Sequence, residues 1–214
     1  MSERRPIASR DTKLAARVAK ALADRGVSPN LISQFSMVFA ALAGVAFWLS
    51  GVTDGVLSAL CLLGAALGCQ LRLLCNLFDG MVAVEGGRSA ADGPFWNEAP
   101  DRVADLFILV GLGLASGYPS LGWAAAALAI GTAYVRELGS SLGQAADFRG
   151  PMAKPQRMAV ATAAAVLAIF VPSILGWSVL HISLWVIVLG SAVTILRRSL
   201  AIIDFLKSAS NEAE

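Results

Sequence analysis

The stretch NLFDGMVAVEGGRSAADGPFWNEAPDRVAD, from Asn76 to Asp105, is a polar island between apolar segments, and the fold is organised around it. Asn76 and Asp79 are three residues apart, and Asn97 and Asp101 are four apart, so each pair occupies one face of a helix. The stretch holds six of the 15 acidic residues of the chain, which are Asp79, Glu85, Asp92, Glu98, Asp101 and Asp105.

Glycine and proline residues separate the two pairs and predict a loop that joins two helices. They are Gly80, Gly86, Gly87, Gly93 and Pro94. Carboxylate and amide oxygens from two facing helices are suitable ligands for Mg²⁺ or Mn²⁺, which in turn bind phosphate. The stretch therefore predicts a divalent metal site at the ends of two helices.

The composition excludes an ordinary soluble domain. Of the 214 residues, 57% are hydrophobic and 15% are charged, whereas soluble domains carry about 25% charged residues. The apolar residues form runs close to the ~20 residues that cross a bilayer. We therefore predict an all-α polytopic membrane protein with six transmembrane helices, at residues 30–50, 56–79, 95–116, 120–142, 155–171 and 179–205.

The distribution of basic residues predicts the orientation in the membrane. The predicted connectors 51–55, 117–119 and 172–178 contain no Lys or Arg, so all 17 basic residues lie on the other side or in the helices that lead to it. Cytoplasmic loops are enriched in Lys and Arg, which places both termini and the acidic stretch in the cytoplasm. No secretory signal peptide is expected, because residues 1–29 lack an apolar core segment.

Three regions follow from this organisation. Residues 1–29 form a cytoplasmic N-terminal segment, residues 30–206 a six-helix membrane domain, and residues 207–214 a polar tail. In the first region, Leu14, Val18 and Leu22 recur every four residues among basic side chains. This pattern predicts an amphipathic helix on the anionic surface of the membrane, and the alternative is a solvated tail.

Several charged residues are expected to serve the site. A charge at membrane depth usually faces the interior of a helix bundle, so Arg72 is expected to pair with a carboxylate there, or else to reach the interface. Arg136, Lys154 and Arg157, with Arg149 less favoured, are candidates to bind phosphate oxygens that a metal leaves free. The alternative is that these basic residues reflect membrane topology alone.

Other residues are assigned structural roles. Cys61, Cys69 and Cys75 lack zinc-ligand spacing and are expected to be free, buried thiols. His181 is expected to lie at a helix boundary on the side opposite the acidic stretch. Gly64 with Gly68 permits a neighbouring helix to approach closely, or else has no special contact.

The chain resembles the CDP-alcohol phosphatidyltransferases, whose signature is D-x2-D-G-x2-A-R-x8-G-x3-D-x3-D. All spacings of this signature hold and five of its eight residues match, at Asn76, Asp79, Gly80, Ala83, Val84, Gly93, Asn97 and Asp101. The sequences SPNLIS at residues 28–33, RE at 136–137 and GPMAKPQR at 150–157 are also similar to the family. The departures are Asn at the first and third aspartate positions and Val at the arginine position.

The resemblance implies transfer of a substituted phosphate from a CDP-linked lipid, such as CDP-diacylglycerol, to a hydroxyl acceptor, with release of CMP. It implies Mg²⁺ or Mn²⁺ as cofactor, a homodimer in the membrane, and no nucleic-acid partner. By the same resemblance, Asp101 is the catalytic base, and Asp79, Asn76, Asn97 and Asp101 hold the metal. The nucleotide would contact Gly80, Ala83 and Gly93, with Arg88 in place of the missing arginine.

The sequence also allows other functions and one other alignment of the motif. A family member without catalytic activity, which binds nucleotide or lipid or acts as a scaffold, would explain the two Asn residues and Val84. A register in which Asp101 and Asp105 form the last pair loses the match at Gly93. A prenyltransferase or a transporter is less favoured, because the chain is short and its polar residues cluster near one membrane face. The sequence does not name the alcohol acceptor.

Overall fold

The computed structural model describes residues 12–85 and 91–211. Within these ranges the chain forms seven α-helices and one two-stranded antiparallel hairpin. The helices are α1 (Lys13–Asp24), α2 (Pro29–Val52), α3 (Gly55–Glu85), α4 (Gly93–Ala115), α5 (Pro119–Ser141), α6 (Lys154–Phe170) and α7 (Val179–Asn211). The strands β1 (Ser173–Ile174) and β2 (Trp177–Ser178) lie between α6 and α7. The predicted all-α class is confirmed.

Capping residues determine where α1 and α2 begin. The Thr12 hydroxyl accepts a hydrogen bond of 3.3 Å from the backbone N–H of Ala15 and caps α1. The Ser28 hydroxyl does the same for Leu31 at 3.2 Å, with Pro29 in the first position of α2. Both caps satisfy backbone donors that have no partner inside the helix, and proline is well suited to the first turn.

The helices α2 to α7 follow the six predicted segments, but α3 and α7 each continue about six residues past the expected end, to Glu85 and Asn211. The expectation that Gly80 begins a loop is wrong, because α3 continues as far as Glu85. The reason is tertiary packing: Met81 and Val82 are buried in a small apolar cluster. Its other buried members are Ala15, Ala19 and Ile32. Burial of these side chains outweighs the low helix propensity of glycine.

Three of the described helices are long and apolar enough to cross a membrane. They are Pro29–Val52, Gly55–Val84 and Val179–Ala209. A polytopic membrane protein follows from these lengths and compositions. Crossing of the bilayer by α4, α5 and α6 stays a prediction, as does the side on which the termini lie.

The helices pack through small residues. Helix α2 lies against both α3 and α4, α4 lies against α5, and α7 lies against α5 and α6. A Cβ atom built on Gly111 of α4 would lie 2.3 Å from the carbonyl oxygen of Gly44 of α2, so these two backbones are in direct contact. Such close approach is typical of membrane helices, because small residues allow the van der Waals packing that holds helices together where the hydrophobic effect does not.

Gly64 and Gly68, the predicted pair of small residues on α3, differ in how closely α2 approaches them. A Cβ on Gly68 would lie 2.8 Å from the Cβ of Ala43 on α2, whereas a Cβ on Gly64 would meet nothing nearer than 3.8 Å. Only Gly68 is therefore required for close approach.

Helix α1 lies in the N-terminal region, where the sequence predicts an amphipathic helix. Its small residues Ala15 and Ala19 are buried, and Leu22 packs on the same cluster, while Leu14 is exposed. The helix thus docks on the end of α3 that carries the acidic stretch. Its position on a membrane surface stays a prediction.

The remaining structural assignments hold in part. The three cysteines are free, but only Cys69 is buried and the other two are half-buried. His181 is buried near the start of α7, where its Nε2 accepts a hydrogen bond of 2.9 Å from Trp185 Nε1.

Candidate active site

Asp79 is the carboxylate that α3 contributes to the site. Its side chain is buried and is held by two neutral donors. The Ser33 hydroxyl of α2 donates to Oδ2 at 2.8 Å, and the backbone N–H of Gly80 donates to Oδ1 at 2.6 Å. Within the described ranges no Lys, Arg or His side chain forms an ion pair with Asp79. Its remaining lone pairs are therefore open to a further ligand.

Asp101 is the carboxylate that α4 contributes, and it is held by two cations. Arg72 Nη2 donates to Oδ1 at 3.1 Å and also approaches the Asp101 carbonyl oxygen at 3.4 Å. Lys154 Nζ, at the start of α6, forms a short ion pair with Oδ2. The expected pairing of Arg72 with a carboxylate is confirmed, and three helices meet at Asp101.

Asp105 continues this ionic network one turn further along α4. Arg157 Nη2 lies 2.6 Å from its Oδ2, and Arg72 Nη2 lies 3.7 Å from its Oδ1. Arg157 also donates to the Thr132 hydroxyl at 3.1 Å and to the Met152 carbonyl oxygen at 3.0 Å. These contacts occupy Arg157 beneath the site, so its predicted contact with a substrate phosphate would need a rearrangement and stays a proposal.

Arg136, near the end of α5, is paired with carboxylates at the rim. Its Nη2 lies 2.6 Å from Glu98 Oε2 and 2.7 Å from Glu137 Oε1. Its guanidinium also lies over the Phe148 ring, 5.6 Å from the ring centre. This partly exposed arginine can exchange carboxylate partners for phosphate oxygens at little cost, because exposed ion pairs contribute about 0–1 kcal/mol.

The start of α4 is fastened to α2 by Asp92. Its Oδ1 accepts a hydrogen bond of 3.1 Å from Asn30, and its Oδ2 accepts one of 2.9 Å from Trp96 Nε1. Gly93 follows, and a Cβ built on it would meet no atom of residues 12–85 and 91–211 within 4 Å. The predicted contact of Gly93 with a nucleotide stays a proposal.

The other predicted site residues occupy the same end of the bundle. Asn76, Gly80 and Ala83 lie on the last turns of α3 and are half-buried, and Asn97 lies exposed on the first turns of α4. The Asn97 side-chain amide has a long contact of 3.5 Å with Glu98 Oε1. Arg88 lies outside the described residues.

The predicted ligands suit one divalent metal ion, bound by one carboxylate and by amide oxygens, better than metal ions bound by several carboxylates. Within residues 12–85 and 91–211 there is no group of three or more His, Cys, Asp or Glu side chains that could hold a metal. Amide oxygens of Asn76 and Asn97 would complete the oxygen donors that Mg²⁺ or Mn²⁺ prefers. Asp79 is the carboxylate best suited to this role, because neutral groups hold it.

Sequence reasoning did not find three residues that support the site. Ser33 holds Asp79, Thr132 accepts a hydrogen bond from Arg157, and Arg198 donates to the carbonyl oxygens of Thr132 and Arg149. Arg198 carried a signal, because an arginine in a long apolar helix requires partners. Ser33 and Thr132 carried none, because such hydroxyls commonly bond to their own helix backbone.

Comparisons with known proteins concern the fold. No protein-family model matches the sequence, and no curated protein sequence is significantly similar to it. Crystal structures of phosphatidylinositol phosphate synthase from Mycobacterium tuberculosis are similar to the structure. The form with CDP-DAG bound has a TM-score of 0.73 at 17% identity, covering 89% of this chain and 94% of that one.

Two further crystal structures of the same enzyme agree with this result. The complex with manganese and citrate has a TM-score of 0.72 at 17% identity, covering 88% of each chain. The apo form has a TM-score of 0.67 at 18% identity, covering 87% of this chain and 94% of that one. The chain therefore shares the helical fold of phosphatidylinositol phosphate synthase over nearly its whole length.

Proposed function

We propose that the chain transfers a substituted phosphate from a CDP-linked lipid, such as CDP-diacylglycerol, to a hydroxyl acceptor and releases CMP. The observation that carries this proposal is the meeting of Asp79, Asp101 and Lys154 at one end of three helices, in a fold shared with a synthase crystallised with CDP-DAG. Asp79 forms no ion pair within residues 12–85 and 91–211, and it lies beside the pair of Asp101 and Lys154. Such an arrangement can hold a metal, bind phosphate and accept a proton.

The donor would bind through its phosphates. Asp79, with the amide oxygens of Asn76 and Asn97, would hold Mg²⁺ or Mn²⁺ near the diphosphate, and Asp101 would face this ion from α4. When bound, the metal neutralises phosphate charge and stabilises the negative charge of the departing CMP. Gly80, Ala83 and Gly93 would allow the nucleotide to approach the backbone closely, and Arg88 is the proposed additional cation.

Asp101 would accept the proton of the acceptor hydroxyl. The acceptor oxygen forms a bond to the phosphorus that carries the lipid, the bond from that phosphorus to the CMP oxygen breaks, and CMP leaves with the electron pair. Arg72 is fully buried against Oδ1, whereas the Lys154 side chain, against Oδ2, is 25% exposed. The substrate would therefore reach Asp101 from the Lys154 side.

The other cations would select the acceptor. Arg136 lies at the rim, and Lys154 lies at the opening beside Asp101. Together with Arg157 they would favour an acceptor that carries its own phosphate. The membrane arrangement is part of the proposal: six crossing helices, α1 on the membrane surface, both termini and the site in the cytoplasm, and a homodimer.

The test is release of CMP by the full-length protein in liposomes that contain CDP-diacylglycerol, with a screen of alcohol acceptors. We expect release that depends on Mg²⁺ or Mn²⁺, and we expect Asp79→Ala and Asp101→Ala to abolish it. Asp54→Ala, at an exposed position in the connection between α2 and α3, is the matched control and should keep full activity. Absence of CMP release from the wild-type protein with every acceptor would contradict the proposal.

A second candidate is a protein that binds the nucleotide or the lipid without turnover. The observation in its favour is that cations occupy both carboxylate oxygens of Asp101, which would weaken it as a base. Binding of CDP-diacylglycerol, measured as thermal stabilisation, without CMP release would support this function. Failure of Asn76→Asp with Asn97→Asp to restore turnover would strengthen it further.

A further inference from the structure

We propose that the site binds one divalent ion, at Asp79, and that Lys154 and Arg72 supply the positive charge at Asp101, which is not a metal ligand. The inference deepens the proposed function and rests on it, because the charges are assigned to the diphosphate of a CDP-linked substrate. The metal ion at Asp79 and the side chains of Lys154 and Arg72 would each neutralise part of the negative charge of that substrate.

Both side-chain partners of the Asp101 carboxylate are cations. Arg72 Nη2 donates to Oδ1 at 3.1 Å, and Lys154 Nζ donates to Oδ2. Arg72 is fully buried and is tied to α4 a second time through the Asp101 carbonyl oxygen, so it cannot withdraw into solvent. A metal ion at Asp101 would therefore lie next to an ammonium group and a guanidinium, both of which repel it.

The contacts of Asp79 are of the opposite kind. Its two hydrogen bonds come from the Ser33 hydroxyl and the Gly80 backbone N–H, which carry no net charge. Each carboxylate oxygen can accept two hydrogen bonds or ligands, so both oxygens retain a free lone pair. Such neutral donors fix the orientation of a metal-binding carboxylate without competing for its charge.

The sum of the charges at the site also favours one metal ion rather than two. Asp79 and Asp101 carry two negative charges, and Arg72 and Lys154 carry two positive charges. Asp105 and Arg157 balance each other in a neighbouring ion pair, which Arg72 also approaches at 3.7 Å. The cluster is therefore neutral without a metal. One divalent ion adds two positive charges, which would balance the diphosphate of the substrate, whereas a second ion would meet net repulsion from Lys154 and Arg72.

Binding of Mn²⁺ alone, followed by electron paramagnetic resonance on the full-length protein in detergent, tests this inference without substrate. We expect one Mn²⁺ per chain. Asp79→Asn should weaken binding by at least about tenfold, the usual effect of disturbing a metal shell. Asp101→Asn should retain one ion per chain and weaken its binding clearly less than Asp79→Asn does, because it removes a nearby negative charge but no metal ligand. Asp54→Asn serves as the matched control.

Because Asp101→Asn leaves two buried cations without a partner, a second variant, Lys154→Met, keeps the inference testable if that protein fails to fold. Removal of the ammonium group should strengthen Mn²⁺ binding several-fold or admit a second ion. Two Mn²⁺ per wild-type chain, loss of binding in Asp101→Asn equal to that in Asp79→Asn, or no change in Lys154→Met would each overturn the inference.

Parallel measurement of CMP release separates this inference from the proposed function. One Mn²⁺ per chain that depends on Asp79, without CMP release for any acceptor, would leave the metal assignment standing and overturn the enzyme. CMP release with two Mn²⁺ per chain would do the reverse.

Discussion

Arg157 Nη2 lies 2.6 Å from Asp105 Oδ2, and the two side chains are only 3% and 4% exposed. The pair joins α6 to α4 directly beneath Asp101. Asp105 also lies 3.7 Å from Arg72 on α3, so one carboxylate neutralises cations from two other helices. Asp105 therefore fixes the relative positions of the three helices that carry the site.

Replacement of Asp105 by Ala is expected to destabilise the protein strongly. Loss of one partner leaves the buried Arg157 without a counter-charge, which costs about 3–5 kcal/mol. The double variant Asp105→Ala with Arg157→Met should lose less stability than Asp105→Ala alone, because no buried charge is then left unpaired at this position. Thermal unfolding in detergent measures both, and equal melting temperatures for wild type and Asp105→Ala would contradict this account.

The contact between α2 and α4 gives a second prediction. A Cβ on Gly111 would lie 2.3 Å from the Gly44 carbonyl oxygen and 2.6 Å from the Gly44 Cα. Gly111→Ala must therefore push two backbones apart, and overpacking of this kind costs about 1–3 kcal/mol. Because α2 carries Ser33 and α4 carries Asp101, a fall in CMP release should accompany the lower melting temperature.

The matched control is Gly64→Ala on α3. The added Cβ there would meet only Ala46 Cβ, at an ordinary 3.8 Å. We expect no loss of stability in this variant, because alanine is the better helix former. Similar melting temperatures for the two alanine variants would show that close approach of α2 and α4 is not a determinant of stability.

Ser33 is expected to support the site through Asp79 alone. Ser33→Ala removes the hydroxyl that donates to Asp79 Oδ2 at 2.8 Å. Loss of such an outer partner typically lowers metal affinity or activity by about 10–100-fold. The measurement is a Mn²⁺ titration of the purified variant, accompanied by CMP release at saturating metal.

Ser36→Ala is the corresponding control on the same helix. The Ser36 hydroxyl donates to the Ser33 carbonyl oxygen at 2.7 Å, within its own helix, and is also buried. If Ser36→Ala lowered Mn²⁺ affinity as much as Ser33→Ala, the effect would belong to α2 in general rather than to the contact with Asp79.

Arg136 is expected to affect the acceptor rather than the fold. Its ion pairs with Glu98 and Glu137 are partly exposed, so Arg136→Gln should change stability by no more than about 1 kcal/mol. A lost hydrogen bond to a charged group is worth about 1.5–3 kcal/mol, so KM for a phosphate-bearing acceptor should rise at least about tenfold. Steady-state kinetics with the exposed Arg197→Gln as control would reveal this, and an equal rise in both variants would remove Arg136 from the acceptor site.

The sequence was sufficient where local chemistry favoured one arrangement over the others. Arg72 lies within an apolar helix, so pairing with a buried carboxylate was favoured over reaching the interface, and the structure supplies Asp101. Ser28 and Pro29 predicted the start of α2 for similar reasons, because both residues favour the first turn of a helix.

The sequence was insufficient where distant segments compete for the same partner. Lys154 lies 53 residues after Asp101, and only the packing of α6 on α3 and of α3 and α4 on α2 brings its ammonium group to that carboxylate. The extension of α3 past Gly80 was missed for the same reason, because Met81 and Val82 gain burial from α1 and α2 that local propensity does not include. The proposed roles of Asn76, Asn97 and Arg88 still depend on the family resemblance.

The orientation in the membrane can be tested with two exposed positions at opposite ends of α6. Leu175, at the tip of the hairpin, is 94% exposed, and the Arg149 side chain, in the connection between α5 and α6, is 73% exposed. In a protein whose Cys61, Cys69 and Cys75 are replaced by Ala, we introduce Leu175→Cys or Arg149→Cys. Positive residues favour the cytoplasm, so a membrane-impermeant maleimide added to intact cells should label only the Leu175→Cys protein.

Permeabilisation should then allow labelling of both variants, and the cysteine-free protein gives the background. Arg149→Cys is expected to fold, because the Arg149 side chain is 73% exposed and the Arg149 carbonyl oxygen that accepts from Arg198 is retained. Labelling of Arg149→Cys in intact cells would place the connection between α5 and α6 outside. Lys154 of the site directly follows that connection, at the start of α6. The proposed cytoplasmic location of the site would then be wrong, whatever the outcome of the metal and activity measurements.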